Sequence, residues 1–515
     1  MTDTLSSAQP SADLPTATVH DAEQLESLSP ITGDVVGRYP VADAEAVADA
    51  IARAREAADW WAALDFGRRK AVLDQWRGVL ARRMAQLADV VHRETGKPHA
   101  DAQLEIGLAV DHLAWAAGHA KKVLGPHRVS AGLLMANQAA TVEYLPRGVI
   151  GVIGPWNYPV FTPMGSIAYA LAAGNAVVFK PSELTPGVGQ WLADSLAEVV
   201  PDGRPLLQCV HGRGEVGDAL CRSGVDKLAF TGSTATGRKV MAACAETLTP
   251  VLIEAGGKDA MLVADDADVS AAADAAAWGA FSNAGQTCVG IERVYVHESV
   301  ADEFVRELTS RTAGLSAAGD VGSAYGPMTL PGQVDVVRRH VTDAVERGGR
   351  AVVGGVEAVG EAYVQPTVLV DVPEDSSAVT EETFGPTVVV NRVASMDEAV
   401  SRANGTGYGL GGSVFSKAQG MTLARAMRSG MVAVNGVISF AGIPALPFGG
   451  VGSSGFGRIH GADGLREFAS PKAIARQRVR PLMNLTSFGR TPAMDKNFAT
   501  VIAALHGRAT QFRKR

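Results

Sequence analysis

The sequence predicts an α/β protein built from two doubly wound lobes. Three observations support this: strand and helix patterns alternate from residue 149 onward, the chain has 515 residues, and its composition is that of a globular protein. A single hydrophobic core stops growing well below this length. Hydrophobic residues make up 47% and charged residues 20% of the chain, which excludes a disordered or fibrous architecture for most of it.

The first third of the chain is predicted to be mostly helical. Residues 1–20 include a stretch rich in Ser, Thr, Ala and Asp and are expected to form a flexible leader. Residues 44–124 carry Leu, Val and Trp at helical spacing. The pattern then changes, because residues 141–145 alternate like a strand and 149–153 form a continuous apolar run.

The first lobe follows from the alternation after residue 149. Its predicted strands are 149–153, 176–180, 206–210, 227–230 and 251–254. Its predicted helices are 187–200, 215–222 and 235–246. Strands that take turns with helices are typical of βαβ units in a mostly parallel sheet.

A second series of elements predicts the second lobe. Its predicted helices are 269–284, 300–312 and 334–347. Its predicted strands are 292–296, 368–370, 388–390 and 431–434. We expect a cleft between the lobes, with ligands bound beyond the carboxyl ends of the strands.

Charge and cysteine content exclude several classes of function. The formal net charge is −7, which disfavours a nucleic-acid partner. The four cysteines have no metal-ligand spacing and indicate reduced thiols, so we expect a cytoplasmic protein without a metal site. No apolar run is long enough to cross a bilayer, and no secretory signal is present.

Four short blocks follow predicted strands and carry polar residues suited to chemistry. Each has a plain structural alternative when taken alone: a proline-braced turn, a solvated ion pair, a tight turn into a helix, or a strand-end carboxylate in water. The blocks are Gly154 to Pro159 with Asn157, Lys180 to Glu183, Phe230 to Ser233, and Glu254 to Lys258. The third block lacks the G-x-G-x-x-G spacing of the usual dinucleotide fingerprint.

A fifth block, Phe281 to Cys288, places a single thiol after a helix and a glycine turn. A lone cysteine is more often an inert small hydrophobic residue than a nucleophile. The inert interpretation is applied to the other three cysteines.

Together the five blocks resemble the aldehyde dehydrogenase family. The resemblance continues through Glu381 to Pro386, Asn404 to Leu410 and Pro447 to Gly450, and it runs from about Pro30 to about Lys472 in the family's order and spacing. It implies a Rossmann-like cofactor-binding domain (21–127 and 147–255), a catalytic domain (256–454) and oligomerisation segments (128–146 and 455–480), followed by a C-terminal tail (481–515).

The resemblance also implies a reaction: oxidation of an aldehyde to a carboxylic acid through a thiohemiacetal and a thioester. Cys288 matches the nucleophile, Glu254 the general base, and the Asn157 amide with the Cys288 backbone N–H the donors for the oxyanion. Relatives that transfer the acyl group to coenzyme A typically lack a glutamate at the position of Glu254, which favours release of the free acid.

By the same resemblance, the cofactor is NAD, with NADP less favoured because the Glu183 carboxylate would repel a 2′-phosphate. Lys180 and Glu183 match the residues that hold the adenosine ribose, and Glu382 the residue that holds the second ribose. Phe384 would pack near the nicotinamide, Gly232 and Ser233 would lie beside the pyrophosphate, and Trp156 beside the cofactor channel. The resemblance further implies a homodimer or homotetramer.

The sequence leaves alternatives open for the substrate class, for the reaction and for the role of the C-terminal tail. The helix after Asn157 carries no cation, which favours neutral aldehydes over a succinate-semialdehyde substrate, although other loops could supply a charge. A thioester or ester hydrolase using Cys288 and a non-catalytic relative are the other candidate functions. The arginine-rich tail is expected to be solvated, with a subunit contact or an anionic membrane surface as alternatives.

Overall fold

The computed structural model of the protein describes residues 23–319, 322–481 and 484–507. These residues form two compact units, one from 23–123 and 146–469 and the other from 124–145 and 470–507. The sequence-predicted leader at 1–20 lies outside the described residues, as do the last eight residues of the tail.

Each helix and strand predicted between residues 141 and 347 is present in the structure, whereas strand β10 (Asp259–Val263) in the same region was not predicted. The strands are β1 (Gln24–Leu28), β2 (Val35–Pro40), β3 (His127–Val129), β4 (Gln138–Pro146), β5 (Val149–Ile153), β6 (Ala176–Lys180), β7 (Leu207–Cys209), β8 (Lys227–Gly232), β9 (Val251–Ala255), β10 (Asp259–Val263), β11 (Ile291–His297), β12 (Arg350–Val353), β13 (Thr367–Val370), β14 (Thr387–Val393), β15 (Gly412–Phe415), β16 (Ala433–Val434), β17 (Gly455–Phe456) and β18 (Ala469–Gln477). The helices are α1 (Ala44–Ala63), α2 (Phe66–Arg82), α3 (Met84–Thr95), α4 (His99–Leu124), α5 (Phe161–Ala173), α6 (Pro186–Ala197), α7 (Gly214–Arg222), α8 (Thr234–Ala245), α9 (Val269–Phe281), α10 (Glu298–Thr312), α11 (Pro331–Glu346), α12 (Ser377–Thr380), α13 (Met396–Ala403), α14 (Gly420–Ala426), α15 (Gly461–Glu467) and α16 (Pro492–His506).

The first lobe is a six-stranded sheet in the order β17-β9-β8-β5-β6-β7. All its strands are parallel except β17, which is antiparallel to β9. The strand order reverses at the neighbours β5 and β8, so the loops after these strands diverge and open a crevice. The doubly wound architecture predicted from the sequence is confirmed.

Helix α5 shows why this sheet folds as it does. Its sequence contains no charged residue, and 12 of its 13 residues are buried. A helix that is apolar on every side is stable only inside a protein. The helix ends at Gly174, which adopts a left-handed backbone with φ of 101°.

The second lobe is a seven-stranded sheet in the order β12-β13-β14-β11-β10-β15-β16. Its strands are parallel apart from the edge strand β12. Strand β9 belongs to the first sheet and β10 to the second, so the chain passes from one lobe to the other through Gly256, Gly257 and Lys258.

The smaller unit contains a three-stranded sheet in the order β18-β4-β3, followed by helix α16. The sequence assigned residues 455–480 to an oligomerisation segment, but β17 pairs with β9 and α15 packs on α5 in the larger unit. Only β18 and the residues after it belong to the smaller unit, because residues 455–467 complete the first sheet and its helix layer. Across the described residues, no helix combines the length and apolar character needed to cross a membrane.

Candidate active site

Cys288 and Glu254 meet in one cavity of the larger unit. Most of the cavity wall is apolar or aromatic. These side chains are Leu104, Leu108, Tyr158, Phe161, Trp278, Val289, Ile438, Ala441, Phe448 and Ile459. Such a wall excludes water and strengthens the electrostatic interactions of the few polar groups inside.

Cys288 lies just before β11, after a tight turn formed by Ser282–Gly285. Gly285 has a φ of 69°, and a Cβ at this position would lie 2.1 Å from the carbonyl oxygen of Gly385. As a residue Cys288 is partly exposed, whereas Cys221 and Cys244 are buried. Burial raises the pKa of Cys288 well above its ordinary value, and the nearby carboxylates of Glu254 and Asp259 raise it further. The resting group is therefore a thiol that needs a proton acceptor before it can react.

Glu254 lies on β9, next to its last residue, with only 2% of its surface exposed. Neither carboxylate oxygen accepts a hydrogen bond from the described residues. Burial raises the pKa of Glu254 to about 7. A carboxylate with a pKa near neutrality is suited to take up and release protons at physiological pH.

Asn157 lies in the loop between β5 and α5 and is held from both ends. Its side-chain amide donates to the carbonyl of Gln286 at 2.9 Å, which ties it to the turn before Cys288. Its backbone carbonyl accepts from the Lys97 ammonium at 2.9 Å and from the Asn283 amide at 3.1 Å. The amide is thereby fixed, and its second N–H has no acceptor among the described residues.

A buried ion pair that the sequence analysis missed supports this loop. Lys97 Nζ lies 2.5 Å from Glu105 Oε2 and 3.9 Å from the centre of the Tyr158 ring. The other oxygen of Glu105 accepts from the backbone N–H groups of Val160 and Phe161 at the start of α5. Lys97 was not among the predicted site residues, because nothing near it in the sequence signals burial.

The residues predicted to bind the adenosine and pyrophosphate share a second cleft, at the carboxyl ends of the first sheet's strands. The cleft is lined by Trp156, Lys180, Glu183, Gly232 and Ser233. Lys180 is buried, with its ammonium 3.1 Å from the Pro181 carbonyl and 4.0 Å from Glu183 Oε2. Burial lowers the pKa of Lys180, and Glu183 and Glu215 partly offset this.

Small residues and a helix start give this cleft the shape and polarity of a dinucleotide site. Gly154, Gly214 and Gly217 also line it, so backbone approaches a ligand closely. Ser233 caps α8 by accepting from the Thr236 N–H, and the positive end of the helix favours an anion. Two cations that the sequence analysis did not single out, Arg213 and Lys239, line the same cleft.

Glu382 and Phe384 lie in the loop before β14. At Gly385 this loop lies against Gly285, in the turn that precedes Cys288. Glu382 accepts from the Gly257 N–H at 2.9 Å, and burial raises its pKa to about 8, with Glu292 contributing. Phe384 adopts a left-handed backbone with φ of 51°, and its ring meets Trp156 edge-on at 5.6 Å between centroids.

A second buried ion pair holds this loop. Glu292 accepts from the backbone N–H groups of Thr383 and Phe384 and pairs with the Lys258 ammonium. Lys258 also donates to the Thr383 hydroxyl at 3.0 Å. The sequence placed Lys258 at the end of the block that begins at Glu254, and Glu292 at the start of a predicted strand. Neither position indicated that the two side chains form an ion pair.

Comparison with known proteins gives a consistent result. The protein-family model described as "Aldehyde dehydrogenase family" matches residues 18–474 of the sequence. A Mycolicibacterium smegmatis protein provisionally named succinate-semialdehyde dehydrogenase (NADP(+)) is 39% identical over 468 residues, which cover 89% of this chain and 90% of that protein. The 4,4'-diapolycopene aldehyde oxidase of a Methylomonas species is 36% identical over 488 residues, covering 94% and 91%.

Solved structures agree. Lactaldehyde dehydrogenase from Escherichia coli superposes with a TM-score of 0.84 at 30% identity, covering 89% of this chain and 97% of that one. PnpE in complex with nicotinamide adenine dinucleotide superposes with a TM-score of 0.83 at 32% identity, covering 89% and 95%.

Proposed function

Because this chain belongs to the aldehyde dehydrogenase family, we propose that Cys288, Glu254 and Asn157 are the residues with which it oxidises an aldehyde to a carboxylic acid. The observation that carries the proposal is the meeting of one thiol and one unpartnered, buried carboxylate in a cavity with an apolar wall. A thiol and a base that share one cavity are the usual components of covalent acyl chemistry.

The first half of the reaction forms the covalent bond. Glu254 takes the proton of Cys288, and the sulfur attacks the carbonyl carbon, so that the C–O π electrons move to oxygen. The second N–H of the Asn157 amide and the backbone N–H of Cys288 stabilise the charge on that oxygen. Lys180, Glu183 and the loop that carries Glu382 would hold a nicotinamide dinucleotide, which would supply the acceptor for the hydride that leaves the former carbonyl carbon.

The second half releases the product. Glu254, after losing its proton to solvent, takes a proton from a water molecule, and that water attacks the thioester carbon on Cys288. The C–S bond breaks, the acid leaves and the thiol is restored. A hydrolase that uses Cys288 without redox chemistry is not favoured, because the neighbouring cleft has the features of a dinucleotide site and the family oxidises aldehydes.

For the cofactor, we propose that Lys180, Glu183, Gly232, Ser233 and the Glu382 loop hold the dinucleotide. The sequence favoured NAD on the basis of Glu183, whereas the Mycolicibacterium relative is named for NADP(+). Arg213 lines the same cleft as Glu183, and no ion pair occupies its guanidinium within the described residues. We therefore propose that NAD binds through Glu183 and that NADP is accepted through Arg213.

Separate substitutions of Arg213 and Glu183 test this proposal for cofactor choice. Arg213→Ala is expected to lower kcat/KM for NADP by about ten- to a hundredfold and to spare NAD, since a hydrogen bond to a charged group contributes about 1.5–3 kcal/mol. Glu183→Ser is expected to raise the preference for NADP, because a negative charge is removed. Lys239→Ala serves as a control for the loss of a cation at the same cleft. Parallel steady-state kinetics with both cofactors measure the effects, and an unchanged NADP/NAD ratio in both variants would contradict the assignment.

For the substrate, we propose a neutral, apolar aldehyde. Among the described residues that line the cavity, Lys97 is the only cation, and it is buried in its pair with Glu105. Asp101, Glu105 and Glu254 are also in the wall, so a substrate carboxylate would meet negative rather than positive groups. The semialdehyde named for the Mycolicibacterium relative is therefore not the class that this cavity favours.

An aldehyde panel tests reaction and substrate class together, with reduced nicotinamide followed by absorbance. Hexanal is expected to exceed butanal in kcat/KM by about tenfold, because each buried methylene contributes about 0.8 kcal/mol. The kcat/KM for either aldehyde is expected to exceed that for succinic semialdehyde. Asp101→Asn is expected to reduce the gap in kcat/KM between the apolar aldehydes and the semialdehyde, because it removes a negative charge from the cavity wall. A preference for the semialdehyde would refute the substrate class, and no reduced cofactor with any aldehyde would refute the proposed function.

We also propose that the protein forms a homodimer or homotetramer through the β18-β4-β3 sheet. Several apolar side chains of the smaller unit are exposed, as expected for a surface that is covered on assembly. They are Val129, Leu133, Leu134, Met135 and Ile474.

A further inference from the structure

The end of the chain differs in charge from the rest of the protein. Residues 470–515, here called the basic segment, contain ten lysines and arginines against the single acid Asp495. The whole chain has 47 basic and 54 acidic residues, so everything before the basic segment is strongly acidic. The family model ends at residue 474, so family membership does not account for the part of the segment that follows it. A separation of charge this sharp indicates a partner of negative charge for the segment.

The described part of the basic segment contains an amphipathic helix. In α16, apolar residues recur at the spacing that places them on one side. They are Met494, Phe498, Val501, Ile502 and Leu505. No residue of α16 is fully buried: Met494, Phe498 and Ile502 are partly covered, and Val501 and Leu505 are 37% and 44% exposed. The helix therefore presents an apolar side that the described residues cover only in part.

The start of the helix is well defined. Thr491 caps α16 by accepting from the Met494 N–H, and Pro492 occupies the first helical position. Phe488 is fully exposed just before the cap, and Arg490 lies between them. A capped helix with a continuous apolar side costs free energy in water unless that side is covered.

We propose that the basic segment, through α16, binds the surface of an anionic lipid bilayer. A bilayer interface offers acyl chains for the apolar side and negative headgroups for the cations, and amphipathic helices of this kind lie in the plane of the interface. At about 22 Å, α16 is too short to cross the hydrocarbon core. A nucleic acid would attract the cations but offers nothing comparable for the stripe of aliphatic side chains. A second copy that covered α16 would have to bring the cations beside the two helices, among them Arg490 and Lys496, close together.

Co-sedimentation of the full chain with vesicles tests the proposal. We expect binding to vesicles of phosphatidylcholine mixed with phosphatidylglycerol and at least about tenfold weaker binding to phosphatidylcholine alone. Raised salt is expected to weaken the binding, because it screens charge. Phe498→Ser with Leu505→Ser is expected to lower the partition coefficient by about tenfold or more, since two large apolar side chains no longer insert. Asn497→Ser with Thr500→Ser, outside the apolar stripe, is the matched control.

The charge contribution is tested in the same way. Arg490→Gln with Lys496→Gln is expected to weaken binding to the mixed vesicles, whereas Lys417→Gln with Arg425→Gln, the same charge loss outside the basic segment, is not. Dehydrogenase activity without vesicles shows that each variant is folded. Equal binding to both kinds of vesicle, or wild-type binding by the Phe498 and Leu505 variant, would overturn the proposal. Analytical ultracentrifugation without lipid gives a further test. If the Phe498→Ser, Leu505→Ser variant forms a smaller assembly than the wild type, a second copy covers α16 and the membrane proposal is overturned.

Discussion

Replacing Cys288 by alanine is expected to abolish aldehyde oxidation, with a fall in kcat of about 10³-fold or more, because no other group can form the covalent intermediate. No other cysteine lines the cavity: Cys221 lines the cofactor cleft, and Cys209 and Cys244 line neither. Any esterase activity of the protein is expected to disappear together with the dehydrogenase activity. Cofactor binding, followed by nucleotide fluorescence, is expected to survive, since the residues of the neighbouring cleft are untouched.

Cys209→Ala is the matched control, because it removes a thiol that is partly exposed elsewhere on the first sheet. It is expected to keep wild-type turnover. Full turnover by the Cys288 variant would show that the sulfur at this position is not the nucleophile and would remove the basis of the assignment.

Replacing Glu254 by glutamine is expected to lower kcat by about 10²- to 10⁴-fold, the usual contribution of a positioned general base. If acid release is slowed more than thioester formation, rapid mixing will show a burst of reduced cofactor followed by slow turnover. The pH profile should change as well. The pKa of Glu254 is raised to about 7, so the carboxylate that acts as base is present above this pH and is lost as pH falls below it. Wild-type turnover should rise with pH through 7, and the variant should lack that rise.

A matched carboxylate is available for comparison. Asp101 lines the same cavity, and burial also raises its pKa. Asp101→Asn is expected to keep the rise through pH 7. If Glu254→Gln retains the wild-type pH profile, another group is the base.

The first sheet could be predicted almost completely from the sequence, since β5, β6 and β8 are apolar runs bounded by Gly, Pro or charged residues. Strands β10 and β15 were not predicted, although each has a neighbouring strand on both sides in the second sheet. Strand β10 follows a glycine pair and a lysine without a turn of its own, and β15 begins with a glycine. Short strands of this kind gain their stability from neighbours on both sides, which a local pattern does not reveal.

Some residues of the candidate site could be predicted from the sequence and others could not, again because local patterns do not reveal contacts between distant segments. Asn157 and Lys180 follow or end strands of the first sheet, where ligand sites of such sheets lie, so position alone drew attention to them. Cys288 lies before β11 rather than after a strand, and only its motif singled it out. Lys97 with Glu105 and Lys258 with Glu292 had no local signal, because a buried ion pair depends on partners that only the fold brings together.

The contact between Gly285 and Gly385 has a consequence for altering this enzyme. A methyl group at Gly285, in the turn that leads to Cys288, would clash with the backbone of Gly385 in the loop that carries Glu382 and Phe384, and one at Gly385 would clash with the Val337 side chain. Any change that enlarges either turn would displace the sulfur and the residues proposed to hold the dinucleotide at the same time. Libraries that aim to retune cofactor choice should therefore leave both glycines unvaried and diversify the adenosine end of the cleft, where Glu183 and Arg213 can be exchanged without disturbing the nucleophile.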